Sequence, residues 1–243
     1  MKKLFAILLG ICLTTSVIAQ PNDRLRNLIL GNSPFYIQPL GYIQFGFSGM
    51  LQGDEMVTRH TSYFKNPQLG FSIVELGFNA GRYIQIATGA DVSWTWYHVD
   101  RDYLWKPNEA GGTHLDLVTK ESDGIRTVKQ SIFTVPTFEF PLSFYFEGGR
   151  ASLQLGASLE LNVNGFTEFK GEDEKGQSIN ESRGGLRYTS HIKTRRLGYN
   201  AHAALLFHNV GLYAKFRPRP VVAEEYGPQF STWTLGLMWR FPQ

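Results

Sequence analysis

Two serines and a histidine stand at positions where nucleophilic chemistry is conceivable. His202, Ser143 and Ser158 each fall on the polar side of a segment whose apolar residues recur every second position. A serine hydroxyl attacks a carbonyl only if a base within hydrogen-bond reach takes its proton. Spacing along the chain does not say which segments adjoin, so His202 has two candidate partners and no catalytic residue is assigned. The other histidines are His60, His98, His114, His191 and His208. None is two residues from another within a strand, and none has a cysteine or carboxylate at metal-ligand spacing. His60, His114 and His191 read as solvated loop residues, and His98 and His208 as strand ends. The sequence therefore assigns no metal-binding and no cofactor-binding residue.

A second set carries charge. Glu75, Asp91, Glu139, Glu160, His202, Lys215 and Arg240 share the polar parity of their segments. Charges enclosed by a narrow wall are costly unless they pair, so the expectation is a mixed-charge plug of ion pairs and hydrogen bonds. A third set, Arg183, Arg187, Lys193, Arg195 and Arg196, lies near the acidic run Glu172-Asp173-Glu174. It reads as a solvated charged hairpin, or more sharply as a contact for lipid phosphates, which guanidinium groups fork well.

The elements that must position these groups are strands, because side chains alternate between two faces with period two. Leu153, Leu155, Ala157, Leu159, Leu161 and Val163 oppose Gln154, Gly156, Ser158, Glu160, Asn162 and Asn164. Ile132, Phe138, Phe140, Leu142, Phe144 and Phe146 oppose Ser131, Thr137, Glu139 and Ser143. At the end of the chain Ser231, Trp233, Leu235, Leu237, Trp239 and Phe241 oppose Phe230, Thr232, Thr234, Gly236, Met238 and Arg240. Similar alternation over 36–51, 69–78, 83–98, 193–207 and 211–217 predicts eight strands. Short turns at Asn79–Arg82, Glu147–Arg150 and His208–Val210 alternate with long polar connections at 52–68, 99–128, 165–192 and 218–228. Pro218 and Pro220 stop the seventh strand, and Pro141 inside the fourth predicts a bulge, since proline cannot complete a ladder.

Alternating short and long connections around an even number of strands is the pattern of a closed membrane barrel. No backbone donor is left unpaired in such a barrel, as lipid demands. A soluble barrel with a greasy interior would invert the faces. Against that stand the scarcity of lysine on the polar faces and the tryptophans Trp94, Trp96, Trp233 and Trp239 near strand ends, where interface belts form. The predicted fold class is an all-β, eight-stranded antiparallel up-and-down transmembrane β-barrel with a lumen too narrow for an open pore.

Residues 1–19 read as a signal peptide: Lys2 and Lys3, the apolar run Leu4–Leu13, and Val17-Ile18-Ala19 before Gln20. Residues 20–34 read as a periplasmic N-terminal segment and 35–243 as the barrel. Cys12, the only cysteine, falls within the leader, which leaves neither disulfides nor thiolate metal sites. With Lys2 and Lys3 removed, basic and acidic residues nearly balance, which argues against a nucleic-acid partner.

The run Phe138-Glu139-Phe140-Pro141-Leu142-Ser143-Phe144-Tyr145-Phe146, the turn at Gly148-Gly149, and Leu155-Gly156-Ala157-Ser158-Leu159 resemble the PorT-like family of bacterial outer-membrane barrels. The resemblance implies an OmpA-like eight-stranded barrel over essentially the whole mature chain, and says little of activity. Some relatives belong to a secretion apparatus. Here Ser143 replaces an aliphatic, and Pro242-Gln243 extend past the usual terminal aromatic.

The expected function is non-enzymatic: a structural, docking or secretion-accessory protein of the outer membrane of a Gram-negative-type cell, with a narrow, plugged polar lumen. Expected partners are outer-membrane lipids and lipopolysaccharide, and other envelope proteins through the long loops or the periplasmic rim. The alternatives are a lipid-A-modifying hydrolase using His202, and a small-solute channel.

Overall fold

The computed structural model describes residues 34–61, 63–107, 114–184 and 192–241. The leader with Cys12, the segment from Gln20 to Ser33, Arg187, His191 and Pro242-Gln243 lie outside the described residues.

In chain order the strands are β1 (Phe35–Pro39), β2 (Tyr42–Gly53), β3 (Pro67–Asn79), β4 (Ile84–His98), β5 (Tyr103–Pro107), β6 (Leu115–Thr119) and β7 (Ile125–Gly148). They continue with β8 (Ala151–Asn162), β9 (Phe166–Asp173), β10 (Ser178–Gly184), β11 (Leu197–Phe207), β12 (Val210–Arg217) and β13 (Phe230–Arg240). A short helix α1 (Glu55–His60) follows β2. Eight strands form the wall in the order β2-β3-β4-β7-β8-β11-β12-β13, all antiparallel, and β13 pairs back onto β2 to close the ring. Closure removes the edges that an open sheet would present. Among the described residues no helix is long and apolar enough to cross a membrane.

The two faces of this wall settle what bathes it. Leu205 is 60 %, Leu212 66 % and Trp239 58 % exposed on the outside, while Gln154, Asn200 and Glu160 are no more than 1 % exposed within. A water-soluble barrel has these reversed. Here the expected parities hold along β8, along the 138–146 half of β7 and along β13 from Trp233 onward, and the fold is the eight-stranded transmembrane barrel that the alternation predicts. Ser231, expected outward, is buried at 5 % beside the irregularity that opens β13. Trp239 stands at the short-turn end, while Trp94, Trp96 and Trp233 lie towards the long-connection end.

β1 and β2 are one strand broken at Leu40-Gly41, where Leu40 takes φ +57°. Both pieces pair with β3, and the Phe241 amide donates to the Gly41 carbonyl at 2.9 Å, holding the seam between the chain's ends. The turn after β7 needs its glycine, since Gly149 sits at φ +68°.

Three further expectations are corrected. Pro141 makes no bulge: β7 keeps one register with β8 through it. Pairing with β4 lapses between Thr88↔Leu142 and Asp91↔Glu139, then resumes unshifted, because the missing amide removes a bond without requiring an extra residue. The extra residue lies one strand over, between Ser72 and Val74 of β3. Second, two of the polar connections are not plain loops. Residues 99–128 hold the hairpin β5–β6, and 165–192 hold the hairpin β9–β10, whose β9 pairs with the first half of a 24-residue β7. Third, Ile132 is buried at 4 %, not outward, because β7 has there left the lipid band and both its sides are covered.

The long-connection end has its own core. Met50, Val57, Tyr97, Val99, Trp105, Leu115, Phe133, Ile192, Val221, Val222 and Phe230 pack together over the lumen. Tyr97 meets Phe230 edge-on at 5.3 Å, and the Trp105 indole donates to the Tyr97 carbonyl at 2.9 Å.

Candidate functional site

The wall brings the predicted charged set into one lumen. From β12, Lys215 Nζ donates to both Glu139 oxygens of β7 at 2.9 Å. Glu139 also accepts from Ser93 Oγ at 2.7 Å and from Asn200 Nδ2 at 3.1 Å. Arg217 Nε donates to Glu160 of β8 at 2.6 Å, and Asn200 Nδ2 reaches Glu160 Oε1 at 2.7 Å. Towards the short turns, Arg240 of β13 lies 3.5 Å from Glu75 and 3.2 Å from Glu147, with its guanidinium 3.9 Å over the Tyr145 ring. Glu75 accepts from the Tyr36 and Tyr145 hydroxyls at 2.8 and 2.9 Å, and Asp91 accepts from the Tyr42 hydroxyl. The desolvation cost of a buried ion pair is offset only when its remaining lone pairs are also bonded, as those of Glu139 are.

Sequence reasoning placed Tyr42 inward, as it is, and missed Arg217 and the inward tyrosines Tyr36 and Tyr145. Arg217 was legible: it stands two residues after Lys215, on the same parity.

His202 is brought to both of its candidate serines. Nε2 lies 3.0 Å from Ser143 Oγ, and Nδ1 lies 3.3 Å from both Ser158 Oγ and Asn200 Oδ1. Register explains the convergence, because β8 lies between β7 and β11 with Ser143 and His202 both opposite Gly156. The ring passes over Gly156, where a Cβ would come within 2.5 Å of Nε2, so this glycine is a packing requirement. A serine–histidine contact of this kind is the first half of an acyl-transfer site. The second half is room for a substrate. The adjoining void, lined by Glu139, Gln154, Ser158, His202 and Lys215 among others, measures about 10 Å³, enough for one water and too little for an acyl chain.

The remaining histidines do not converge. His60 stacks on Tyr103 at 3.8 Å and lies 4.0 Å from Asp100, and His114 rests near the Tyr226 ring at 5.5 Å. Both were expected in solvent and are instead half-buried in the long-connection packing, where the unforeseen hairpin supplies neighbours. His98 ends β4, and His208 sits in the β11–β12 turn at φ +58°. Among the described residues no three His, Cys, Asp or Glu side chains are grouped to hold a metal ion.

Outside the lumen, the segment before β11 lies beside the one after β12 through the bridge Thr194↔Val222 and the Arg195 amide bond to Val221 at 2.7 Å. This collects Lys193, Arg195, Arg196 and Arg219 at the long-connection rim, just above the exposed Leu197 and Tyr199. Lys193 Nζ stands 4.9 Å over the Tyr226 ring. The acidic run is engaged elsewhere: Glu172 pairs with Lys129 at 2.6 Å, and that ammonium holds its carboxyl below the usual carboxylate range. Arg183 lies in β10. At the opposite end an open basin of about 290 Å³ is lined by Glu147, Arg150, His208, Asn209 and Arg240 among others.

No protein-family model matches the chain. No curated protein matches it either. Among solved structures it is similar to Neisserial surface protein A (NspA), at 13 % identity and TM-score 0.36 over 86 % of this chain and 98 % of that one. It is likewise similar to Ail, the attachment invasion locus protein of Yersinia pestis, solved with the heparin analogue sucrose octasulfate. There the identity is 14 % and the TM-score 0.33, over 85 % of this chain and 97 % of that one. Likenesses at this level carry no inference, and the fold rests on the closed ring of pairings described above.

Proposed function

We propose that this chain is an exported outer-membrane barrel of the PorT-like kind. Its wall is a non-enzymatic mount, and its work is done by docking at the long-connection surface or the periplasmic rim. The observation that carries this reading is the molecule's inversion: an oily exterior around ion pairs such as Lys215–Glu139. A polar interior and apolar exterior are what lipid selects in a spanning barrel. The strand motif around Phe138–Phe146 and the leader-like Met1–Ala19 favour export to the outer membrane.

The lumen reads as a plug. Voids within it are water-sized, and the apolar core at Phe230, Tyr97 and Trp105 lies over it. A solute channel calls for a continuous path that this packing opposes. The serine–histidine contact favours a hydrolase as the second reading, yet among the described residues the void that Ser143 lines is water-sized. Lipid A from expressing and deletion cells, compared by mass spectrometry, separates the two, and unchanged lipid A removes the hydrolase. A silent planar bilayer is the result expected of a plugged lumen, and steady conductance would overturn it.

The partners we favour are outer-leaflet lipopolysaccharide, through phosphates at Lys193, Arg195, Arg196 and Arg219, and an envelope protein at the long connections. Photo-crosslinkers at exposed positions such as Phe64, which is 80 % exposed, test the second in intact cells. A reproducible protein adduct supports docking. A surface that never crosslinks, there or at the periplasmic rim, counts against it.

A further inference from the structure

The lumen's charges do not balance. Four carboxylates are buried in it, Glu75, Asp91, Glu139 and Glu160, against three cations, Lys215, Arg217 and Arg240. Glu139, Glu160 and Glu75 each have a cation at 2.9, 2.6 and 3.5 Å respectively. Among the described residues Asp91 has none at ion-pair distance, and Lys215, already paired with Glu139, acts on it only from farther off. His202 does not make up the difference, for its two ring nitrogens face hydroxyl and amide oxygens and no carboxylate.

The imbalance has an address. A void of about 10 Å³ is lined by Ser72, Glu75, Thr88, Gly89, Asp91 and Pro141, with other neighbours, and no lysine, arginine or histidine is among them. Two atoms of this lining are buried with no hydrogen-bond partner in the protein: Asp91 Oδ1 and Ser72 Oγ, on residues 3 % and 1 % exposed. The other Asp91 oxygen is taken by the Tyr42 hydroxyl. The Ser72 hydroxyl interacts with the Asp91 carboxylate beside it, but outside ordinary hydrogen-bond geometry, so neither atom's bonding capacity is filled.

The backbone is spread open at the same level. Here β4 and β7 skip the pairs at Gly89 and Ala90, opposite Pro141 and Phe140. Here too β3 carries its bulge between Ser72 and Val74. Thr88 Oγ1 donates to the Pro141 carbonyl at 2.8 Å, patching the missing ladder bond with a side chain. The irregular backbone thus surrounds a space bordered by the Asp91 carboxylate and the Ser72 hydroxyl among apolar neighbours such as Val74 and Ala87, inside a barrel otherwise neutralised pair by pair. A buried carboxylate without a counter-charge is strongly disfavoured.

We propose that this void is a binding site for a single monovalent alkali cation, held by Asp91 Oδ1 and Ser72 Oγ with oxygen atoms of the surrounding lining. Hard cations take oxygen ligands, and one positive charge brings the lumen to neutrality. The volume suits one water-sized particle, which fits a bare ion and excludes an organic cation such as choline.

The experiment compares urea unfolding of the refolded full chain in vesicles, in sodium chloride and in choline chloride at equal ionic strength. Diffraction from crystals grown in rubidium chloride accompanies it. Above its dissociation constant, a cation bound only to the folded state lowers the unfolding constant about tenfold for each tenfold rise in its concentration. Wild type is expected to show that slope in sodium and none in choline, and rubidium density is expected within bonding distance of Asp91 Oδ1. Asp91→Asn is expected to unfold identically in both salts, and Ser72→Ala to keep a weakened sodium response. Equal behaviour of wild type in sodium and choline overturns the proposal, since that is how a protonated Asp91 or a plain buried water would behave. So does rubidium density absent from the void. If Asp91→Asn fails to fold, the wild-type salt comparison and the diffraction still decide.

Discussion

The two halves of this barrel obey opposite rules. Between the short turns and roughly the level of Arg217, the inside is ionic and the outside oily. Above it, around Trp105, Phe133 and Phe230, the inside is oily and the rim carries Lys193, Arg195 and Arg196. β8, β11 and β12 end near the boundary, but β7 crosses it unbroken with Glu139 below and Phe133 above, both buried. The difference teaches that burial in this molecule is decided by what surrounds each level. Where lipid covers the wall, an apolar side chain gains nothing by turning inward, and polar groups collect where they can bond each other. Where water surrounds it, the ordinary hydrophobic rule returns.

Substitutions in each half sharpen this contrast. Lys215→Met removes the partner of Glu139 and should destabilise the folded barrel by about 3–5 kcal/mol, as breaking a buried pair does. Adding Glu139→Leu should recover most of that loss, because the second charge no longer lies unpaired. Urea unfolding in vesicles reads both. Trp105→Ala should remove about 3–5 kcal/mol from the upper core. Its effect should stay local, with hydrogen exchange accelerated at Val221 and Val222 while β8 keeps its protection; a uniform loss would mean the halves are one cooperative unit.

Leu155→Arg, on the outer face of β8, should cost about 2–4 kcal/mol in a bilayer, as a cation near the midplane does. The same change on a water-facing strand would fall within about 0.5 kcal/mol. The smallest effect belongs to the exposed Lys129–Glu172 pair: Lys129→Ala should leave stability unchanged, since screened surface pairs contribute little. Its readout is titration. The Glu172 carboxyl is held low in the folded protein, so whatever the pair contributes is present above the unfolded carboxylate value and fades as pH falls through the folded one. By NMR, Lys129→Ala should let Glu172 titrate at a higher pH.

How much of this could be read beforehand differs between the same two halves. In the lower half one rule, period two, sufficed: Leu155 out and Gln154 in followed directly, as did the inward Glu139, Lys215 and Arg240. The upper half mixes rules. Trp105 and Leu115 belong to short strands, and the prolines, glycines and polar residues in the sequence around them made the whole stretch read as loop. Val221 and Val222 follow two prolines, which mark an end of β12 but say nothing of where the chain packs next. Pro141 was expected to bulge its own strand, whereas at its level pairing with β4 lapses and the bulge lies in β3. The meeting of His202 with Ser143 and Ser158 depended on register, which no single strand carries.

The most direct measurement is a spin-label scan along β8, from Ala151 to Asn162, in bilayers. The mature barrel as read here has no cysteine of its own, so each position can be labelled singly. Labels at Leu153, Leu155, Leu159 and Leu161 should collide readily with oxygen and hardly at all with a water-soluble nickel reagent. Labels at Gln154, Ser158 and Glu160 should be shielded from both. Nickel collisions at Leu155 as frequent as on a soluble protein's surface would contradict a lipid-facing wall.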